Sequence, residues 1–418
     1  MKKILIIASN CLSLTSNNGK TYAALLSRYS KEKLGQIYFT YAEEPNFNLC
    51  GKFFRISDVD VINSYYRGFC GLEIRNEYTS SEIQANRGNN LIKIAKKTIP
   101  SSIRDLLWYF CKWNDVGLKA WLNEFKPELI FYVGSNQGFS NRIARTLSKE
   151  MNIPLVTYYT DDYLINSIPR NIFYPLNKWR RNLIYQKTVK QSSLLYAIGS
   201  EMAEIYSEYF KREFKYVMNA VDVLPFSEYK HNHSHRVISY FGGLHLGRWK
   251  AIVKLAKCLP LSFSIHVYTL AYIDGEMQNG FDKCPNIKLC GGTKGLEMLE
   301  KMRSSDFLLH IESDEKCYRR LTSLSISTKI PEYLMCARPL IAFGPKEVAS
   351  MKLLSNNEIG FVIDSELNLV DVKKEILKIM EDEKKILDVV KKGYEFAVNN
   401  FDQEKISKKI YEELESLA

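Results

Sequence analysis

Short, mostly apolar segments alternate along the chain with longer stretches of helical periodicity. The first run, Ile4 to Ala8, consists only of apolar residues, which is typical of a parallel strand buried on both faces. Further strands are predicted in the first half at 36–41, 53–56, 129–133, 155–159, 194–198 and 214–218. A second series lies at 237–241, 263–269, 287–290, 307–311, 340–343 and 360–363. Strands that alternate with helices in this way predict parallel sheets with right-handed crossovers.

The two series predict two domains, which agrees with a length of 418 residues. We place an N-terminal domain at 1–218, a polar linker at 219–236 and a C-terminal domain at 237–401. A final helix, at about 402–418, carries one apolar face and is a candidate to pack back on the N-terminal domain. The predicted fold class is α/β, with two Rossmann-like, doubly wound domains facing a cleft. Ligands of such sheets bind beyond the carboxyl ends of the strands.

Charge and cysteine content limit the partners and the compartment. The chain has 58 Lys and Arg against 47 Asp and Glu, a formal net charge of +11. This excess permits a nucleotide or an anionic membrane as partner. Nucleic acid is not expected, because no recognised motif interleaves aromatic residues with the basic clusters. Nine scattered cysteines without a CxxC motif predict free thiols in the cytoplasm, with the inner face of the cell membrane as the alternative location.

A basic and aromatic region precedes the strand at 129–133. Residues 103–125 carry apolar side chains at helical spacing and predict one helix, with Trp108 and Trp113 among nearby lysines. Together with basic helices expected at 92–113 and 177–190, this region is suited to an anionic membrane surface. The alternative is a helix that buries its aromatic residues in the domain core.

Three candidate residues lie in the N-terminal half, each after a predicted strand. Gly19 precedes Lys20-Thr21 like the end of a P-loop, but the required first glycine is replaced by Leu14, which excludes that motif. Gly19 still marks a turn where a substrate could approach the backbone. Asn136 lies in a polar cluster after 129–133. Asp161, followed by a second aspartate, is a candidate acid, base or hydroxyl-binding residue, or alternatively a helix cap.

The linker contains His231, His233 and His235, which could in principle approach one metal ion. No carboxylate or cysteine completes a ligand set, and polar linkers rarely hold catalytic metals. We therefore expect a solvated linker and no metal.

Two stretches of the C-terminal half are suited to binding a phosphate. Gly242 and Gly243 follow a strand, and Arg248 opens the next helix, which together form a plausible phosphate cradle. Further on, a Ser/Thr cluster at 325–328 precedes a short helix and the strand at 340–343. Lys329 and Glu332 are three residues apart at the start of that helix, where Lys329 could meet a phosphate and Glu332 a sugar diol. The alternative is an ordinary helix and strand with a surface ion pair.

Four stretches together resemble glycosyltransferases of the GT-B fold, most like the bacterial family 4 (group 1) enzymes of surface polysaccharide synthesis. Val217-Met-Asn-Ala-Val-Asp222 resembles the family's interdomain segment. The segment from Tyr240 to Arg248 is similar to the first strand and phosphate loop of its donor domain. The stretch from 296 to 311 resembles the helix and strand before the donor motif, and 327–342 resembles that motif itself. The likeness covers residues 218–418; the N-terminal half matches in pattern only.

The resemblance implies a site for a nucleotide-sugar donor in the C-terminal domain. Glu332 would bind the ribose, and Arg248 and Lys329 would bind the diphosphate. The remaining donor-binding residues implied are Gly243, Ser327 and Thr328. One position departs from the family, since a glutamate expected eight residues before Glu332 is Leu324. Glu312 or Glu315, in the preceding loop, could replace it in space.

The expected activity is transfer of a sugar from a nucleotide-sugar donor to a hydroxyl of a saccharide or lipid-linked saccharide acceptor, with no cofactor and no metal. Asp161 would orient or deprotonate the acceptor hydroxyl, with Gly19 and Asn136 on the acceptor side. The alternatives are a sugar-nucleotide epimerase on the same fold and a non-enzymatic, basic membrane-surface module.

Overall fold

The computed structural model describes residues 1–14, 17–41, 43–76, 101–169, 172, 174–230 and 236–417. Two compact units divide these residues. The first unit comprises Met1–Leu164, Pro169–Val217 and Ser407–Ala418, and the second comprises Ile165–Ile168 and Met218–Ile406. The chain therefore leaves the first unit once for nearly two hundred residues and returns to it with its last helix.

The first unit is built on one sheet. Its strands are β1 Ile4–Ala8, β2 Leu34–Tyr38, β3 Lys52–Arg55, β4 Leu72–Ile74, β5 Leu129–Val133, β6 Leu155–Tyr159, β7 Leu194–Ala197 and β8 Lys215–Tyr216. Their order across the sheet is β4-β3-β2-β1-β5-β6-β7-β8. All neighbouring pairs are parallel except β3 and β4. The edge strand β4 was not predicted.

The helices assigned in the described part of the first unit lie between these strands or close the chain. They are α1 Asn17–Leu25, α2 Asp58–Arg67, α3 Ser101–Phe110, α4 Val116–Phe125, α5 Gly138–Met151, α6 Tyr174–Gln191 and α7 Ser200–Phe210, with a short 3-10 turn at Lys31–Lys33. The last helix of the chain, Gln403–Ser416, begins at the edge of the second unit and belongs mainly to the first. Its Glu413 accepts a hydrogen bond from Lys215 Nζ at 2.9 Å, beside β8.

The second unit contains a parallel sheet of six strands. They are β9 Arg236–Phe241, β10 Phe263–Tyr268, β11 Ile287–Gly291, β12 Phe307–Ile311, β13 Leu340–Gly344 and β14 Phe361–Asp364, in the order β11-β10-β9-β12-β13-β14. Its helices, numbered onward, are α8 Arg248–Cys258, α9 Gly275–Asp282, α10 Gly295–Arg303, α11 Lys316–Thr322, α12 Lys329–Met335, α13 Ala349–Asn356, α14 Leu369–Glu381 and α15 Glu383–Asn400. Both sheets thus belong to the doubly wound class that the sequence predicts, and each reverses its strand order once.

The second sheet is buried on both faces. Successive residues of its central strands belong to different hydrophobic clusters. Leu309 is in one cluster with Ile238 and Tyr240, on one face of the sheet. Leu308 is in another cluster with Phe241, on the opposite face. Side chains of a strand alternate between faces, so an uninterrupted apolar run is what this position in a sheet requires.

The single helix expected over 103–125 is wrong. The structure has α3 and α4, separated at Cys111–Asp115, because Asp115 caps α4 by accepting a hydrogen bond from the Leu118 N–H at 3.0 Å. Residues 92–100 of the expected basic helix and the histidines at 231–235 lie outside the described residues.

Candidate functional site

The order of strands in the second unit reverses between β9 and β12, which are neighbours although far apart in sequence. Such a switch point leaves a crevice beyond the carboxyl ends of the two strands. The chain that follows β9 contains Gly243 and Arg248, and the chain that follows β12 begins with Glu312. The topology therefore brings a predicted phosphate-binding stretch and an acidic loop to the same edge of the sheet.

The loop after β9 has a constrained backbone. Leu246 and Gly247 both have positive φ, 59° and 72°, immediately before α8. A Cβ atom on Gly247 would lie 2.5 Å from Ser313 Oγ, in the loop after β12, so glycine is required for this close packing. The Tyr240 hydroxyl donates to the carbonyl of Gly243 at 2.6 Å. These contacts fix the path of the loop and the position of Arg248 at the first turn of α8.

Arg248 and Glu312 form a buried ion pair. Arg248 Nη2 lies 3.7 Å from Glu312 Oε2, and the two side chains are 19% and 3% exposed. Burial alone would lower the pKa of the Arg248 guanidinium, but the Glu312 carboxylate raises it above its ordinary value. Burial would likewise raise the pKa of Glu312, but His310 and Arg248 together lower it. Both groups therefore remain charged, and a fixed cation is held at the carboxyl edge of the sheet.

Two further groups stabilise this edge. His310 Nε2 lies 3.4 Å from Glu312 Oε1 and is itself buried. On α8, Lys254 donates to Asp314 Oδ2 at 2.5 Å and to the carbonyl of Ser365 at 2.6 Å. The lysine thus connects α8 with the loops that follow β12 and β14.

The second predicted phosphate site, at α12, forms a compact polar corner. Lys329 Nζ donates to Glu332 Oε2 at 2.7 Å and lies 3.4 Å from the sulfur of Met298. The Lys329 N–H donates to Ser327 Oγ at 3.3 Å, so Ser327 provides the side-chain oxygen at the start of the helix. Thr328 makes no capping bond through its side chain. The helix has seven residues, and the side chains of Lys329 and Glu332 are 28% and 12% exposed.

Helix α12 is attached directly to the end of β9. The Tyr333 hydroxyl accepts a hydrogen bond from the N–H of Phe241 and donates to the carbonyl of Phe241, each at 3.1 Å. Tyr333 follows Glu332 in sequence, so this contact sets the position of Glu332 relative to the strand that leads to Arg248. The structure thereby joins the two stretches that were predicted separately.

Asn219 is a residue of this region to which the sequence assigned no role of its own. Its Nδ2 donates to the carbonyl of Thr328 at 3.0 Å, while its Oδ1 is buried without a hydrogen-bond partner among the described residues. The only sequence signal was its position in the segment 217–222 that resembles the family's interdomain motif.

The two glutamates considered as replacements for Leu324 have different surroundings. Leu324 itself is 4% exposed and belongs to the interior. Glu312 is the buried partner of Arg248, whereas Glu315 pairs with Lys250 at 3.2 Å on a more exposed surface. Of the two, Glu312 is the carboxylate next to the cationic edge.

In the first unit, the two aspartates after β6 have different surroundings. Asp162 is buried and accepts hydrogen bonds from the Leu164 N–H at 3.0 Å and the Tyr206 hydroxyl at 2.8 Å, which is a structural arrangement. Asp161 is half-buried and accepts from the Tyr163 hydroxyl at 3.0 Å. Asp161 is therefore the more accessible carboxylate of the pair.

The other two acceptor-side candidates lie near the switch point of the first sheet, between β1 and β5. Asn136 is exposed after β5. Gly19 is inside α1, and a Cβ there would lie 2.1 Å from the carbonyl oxygen of Cys11. The group that approaches Gly19 closely is thus the protein's own backbone, which gives this glycine a packing role.

Trp108 and Trp113 are 1% and 6% exposed and pack in the core of the first unit. Their burial agrees with the core alternative for these two residues.

No helix in the described part of the chain combines the length and apolar character that crossing a bilayer requires. Within the same residues, no group of three or more His, Cys, Asp or Glu side chains could hold a metal ion.

No protein-family model and no curated protein sequence matches the chain. Solved structures share its fold. HepE of Anabaena in complex with UDP gives a TM-score of 0.65 at 14% identity, covering 99% of this chain and 100% of its own. Sucrose-phosphate synthase of Thermosynechococcus elongatus gives 0.64 at 11% identity over 99% of each chain. WaaG, a glycosyltransferase involved in lipopolysaccharide biosynthesis, gives 0.59 at 11% identity over 97% of this chain and 99% of its own.

The fold is therefore that of the GT-B glycosyltransferases, with two Rossmann-like units, as predicted from the sequence.

Proposed function

We propose that the protein is a glycosyltransferase that moves a sugar from a nucleotide-sugar donor to a hydroxyl of a saccharide or lipid-linked saccharide. The observation that carries this proposal is the Arg248–Glu312 pair at the switch point of the second sheet. A permanently charged guanidinium at the carboxyl edge of such a sheet is suited to a diphosphate. The fold supports the same conclusion, and HepE has been crystallised with UDP, with UDP and glucose, and with UDP-glucose.

In this proposal Arg248 and Lys329 bind the diphosphate, and Glu332 accepts hydrogen bonds from the ribose hydroxyls. Gly243, Ser327 and Thr328 supply the backbone and hydroxyl contacts around them. As the bond to the sugar breaks, negative charge develops on the leaving diphosphate, and fixed cations stabilise it without a reorganisation step. Lys329 must then exchange at least part of its contact with Glu332 for the phosphate.

Isothermal titration of UDP and UDP-glucose into wild type and Glu332→Ala tests the donor site. Loss of a hydrogen bond to a charged acceptor costs about 1.5–3 kcal/mol, so we expect affinity to fall roughly tenfold or more. Glu297→Ala, on the exposed surface of α10, is the matched control and should bind like wild type. Unchanged binding by Glu332→Ala would remove this glutamate from the site.

On the acceptor side, we propose that Asp161 orients or deprotonates the attacking hydroxyl and that Asn136 lies nearby. Asp161→Asn keeps the shape and the hydrogen bond from Tyr163 but removes the charge. We expect UDP binding to stay as in wild type while transfer falls by about 100-fold or more, the usual contribution of a general base. Transfer at the wild-type rate would refute the role of Asp161.

We also propose that transfer needs no divalent cation, because the two cationic side chains provide the required charge. Turnover should then be the same in EDTA as in magnesium or manganese. Product analysis with donor alone separates this function from epimerisation, since an epimerase would convert the donor without any acceptor.

For a lipid-linked acceptor, we propose a peripheral membrane contact on the first unit. Tyr66, Tyr109 and Phe110 are 88%, 66% and 64% exposed on α2 and α3, and the Tyr65 hydroxyl donates to the carbonyl of Leu107, which joins the two helices. Exposed aromatic side chains of this kind favour a bilayer interface. Sedimentation with phosphatidylglycerol vesicles should recover less of a Tyr66→Ser, Phe110→Ser double variant than of Tyr272→Ser, an exposed control in the second unit.

A further inference from the structure

Two cysteine thiols lie against each other in the first unit. Cys70 is in the loop between α2 and β4, and Cys111 follows α3, 41 residues later. Their sulfur atoms are 3.1 Å apart, and the residues are 0% and 5% exposed. Each thiol therefore has the other as its immediate neighbour in the interior.

Backbone hydrogen bonds hold both cysteines in place. The Cys70 N–H donates to Asp115 Oδ2 at 2.6 Å, and the other oxygen of Asp115 caps α4. The Cys111 N–H donates to the carbonyl of Leu107 at 3.1 Å. Gly68 and Gly71, with φ of 78° and 96°, flank Cys70 and give its loop a path that other residues rarely adopt. The conformations of two separate segments thus determine the short distance between the two sulfur atoms.

The surroundings also make the two thiols differ in acidity. The neighbouring thiol of Cys70 lowers the pKa of Cys111, although burial opposes this. Ser64 Oγ lies 3.5 Å from Cys111 Sγ. Cys50 offers a contrast, since burial raises its pKa to about 12 and its sulfur lies near the carbonyl of Leu34. The thiolate is the reactive form of cysteine, so Cys111 is the expected attacking group of the pair.

We propose that Cys70 and Cys111 are a reversible disulfide site that is oxidised by a peroxide. A disulfide has a sulfur–sulfur bond of about 2.05 Å, so the two atoms need to approach by only about 1 Å. The site is separate from the sugar-transfer residues and does not depend on the proposed function.

The chemistry has two steps. The Cys111 thiolate attacks one oxygen of hydrogen peroxide, the O–O bond breaks, and the departing hydroxide takes up a proton to become water. The Cys70 sulfur then attacks the sulfur of the Cys111 sulfenic acid, and the S–O bond breaks. The oxygen leaves as a second water with the proton of Cys70. Two thiols lose two electrons in total, and the peroxide gains them.

The new bond would join the α2–β4 loop to the segment between α3 and α4 and close a loop of chain between them. A cross-link of this kind restricts the unfolded chain and raises the unfolding temperature. The same bond would hold fixed the C-terminal end of α3, which carries Tyr109 and Phe110.

Peptide mapping of the full chain after oxidation tests this proposal. We would use a Cys290→Ser, Cys317→Ser background, because those two cysteines are the more accessible ones and could cross-link separate molecules. After a stoichiometric addition of hydrogen peroxide and alkylation of the remaining thiols, we expect a cross-linked peptide joining Cys70 to Cys111. Dithiothreitol should reverse it, and the oxidised protein should unfold at a higher temperature than the reduced one.

Two variants complete the experiment. Cys111→Ser should form no cross-link at Cys70, whereas Cys258→Ser, which removes another buried thiol, should form the same cross-link as its parent. The mapping of the parent protein does not depend on whether Cys111→Ser folds. Alkylation of both Cys70 and Cys111 after oxidation, a stable sulfinic acid at Cys111, or a cross-link to a different cysteine would each overturn the proposal.

Discussion

Arg248 and Glu312 are each other's charge partner inside the second unit, with Nη2 and Oε2 3.7 Å apart. They come from the chain segments after β9 and β12, two strands that are neighbours only because the sheet reverses its order there. The proposed role of Arg248 in binding a diphosphate requires the guanidinium to be held in place when no ligand is bound. Glu312 provides that restraint, and its other carboxylate oxygen lies 3.4 Å from His310 Nε2.

Glu312→Ala should strongly destabilise the protein, because it leaves the Arg248 guanidinium buried without a counter-charge. Breaking a buried pair from one side costs about 3–5 kcal/mol. Glu315→Ala removes a glutamate three residues later that pairs with Lys250 at the surface, and such pairs contribute about 0–1 kcal/mol. Urea unfolding of the two variants makes the comparison. Equal losses would mean that the Arg248–Glu312 pair has no special energetic role.

The same pair predicts a pH dependence of stability. The folded state lowers the pKa of Glu312 from its ordinary value of 4.5. Its contribution is therefore complete above that ordinary value and is lost as the pH falls through and below it. We expect the free energy of unfolding of wild type to decrease over this acid range more steeply than that of Glu312→Gln. Parallel pH profiles for the two proteins would contradict the assignment.

Tyr333→Phe should loosen α12 from β9. The change removes one hydroxyl but leaves both the N–H and the carbonyl of Phe241 without that partner in a buried environment. We expect a loss of about 1–3 kcal/mol in stability, together with weaker UDP binding if Glu332 lies in the donor site. Tyr272→Phe, at an 87% exposed position, is the control and should change stability by less than about 0.5 kcal/mol. A loss for Tyr333→Phe no larger than that of the control would show the hydroxyl to be dispensable.

Gly19→Ala should destabilise the first unit, because the added methyl would meet the carbonyl oxygen of Cys11 at 2.1 Å. Overpacking of this kind costs about 1–3 kcal/mol. Gly275→Ala places a methyl in open space at the start of α9 and should be neutral or slightly stabilising. Differential scanning fluorimetry of the two variants compares them. A Gly19→Ala protein that melts like wild type would show that the helix can shift, and would restore the alternative that this glycine serves a substrate.

Much of the fold was predictable because its strands are buried on both faces. Runs such as Ile4–Ala8 and Leu129–Val133 contain no charged residue, and a parallel sheet covered by helices is the environment in which such runs occur. The error at 103–125 has a tertiary cause. The helical spacing of apolar residues continues across Cys111–Asp115, but Asp115 accepts hydrogen bonds from the N–H of both Cys70 and Leu118, and these contacts separate the two helices.

The sequence predicts the separate stretches that contribute to the candidate site. It does not predict the contacts between residues of different stretches. Arg248, Lys329 and Glu332 follow from charge at the starts of helices. That Glu312 would be the partner of Arg248 depends on the strand order, which no local pattern reveals. The hydrogen bond from Asn219 to Thr328 joins residues 109 positions apart, so it too depends on the tertiary fold and not on a local pattern.

The return of the chain to the first unit has a consequence for its synthesis. Val217 is the last residue of that unit before the chain builds the sheet of the second unit, and the chain returns to the first unit at Ser407. Ile410 and Leu414, on the last helix, are fully buried. A ribosome therefore delivers the whole sheet of the second unit before it supplies the residues that complete the first. Until then, the apolar surface that the last helix covers stays exposed on the N-terminal unit. Correct folding during translation therefore depends on whether the nascent chain avoids aggregation through that surface.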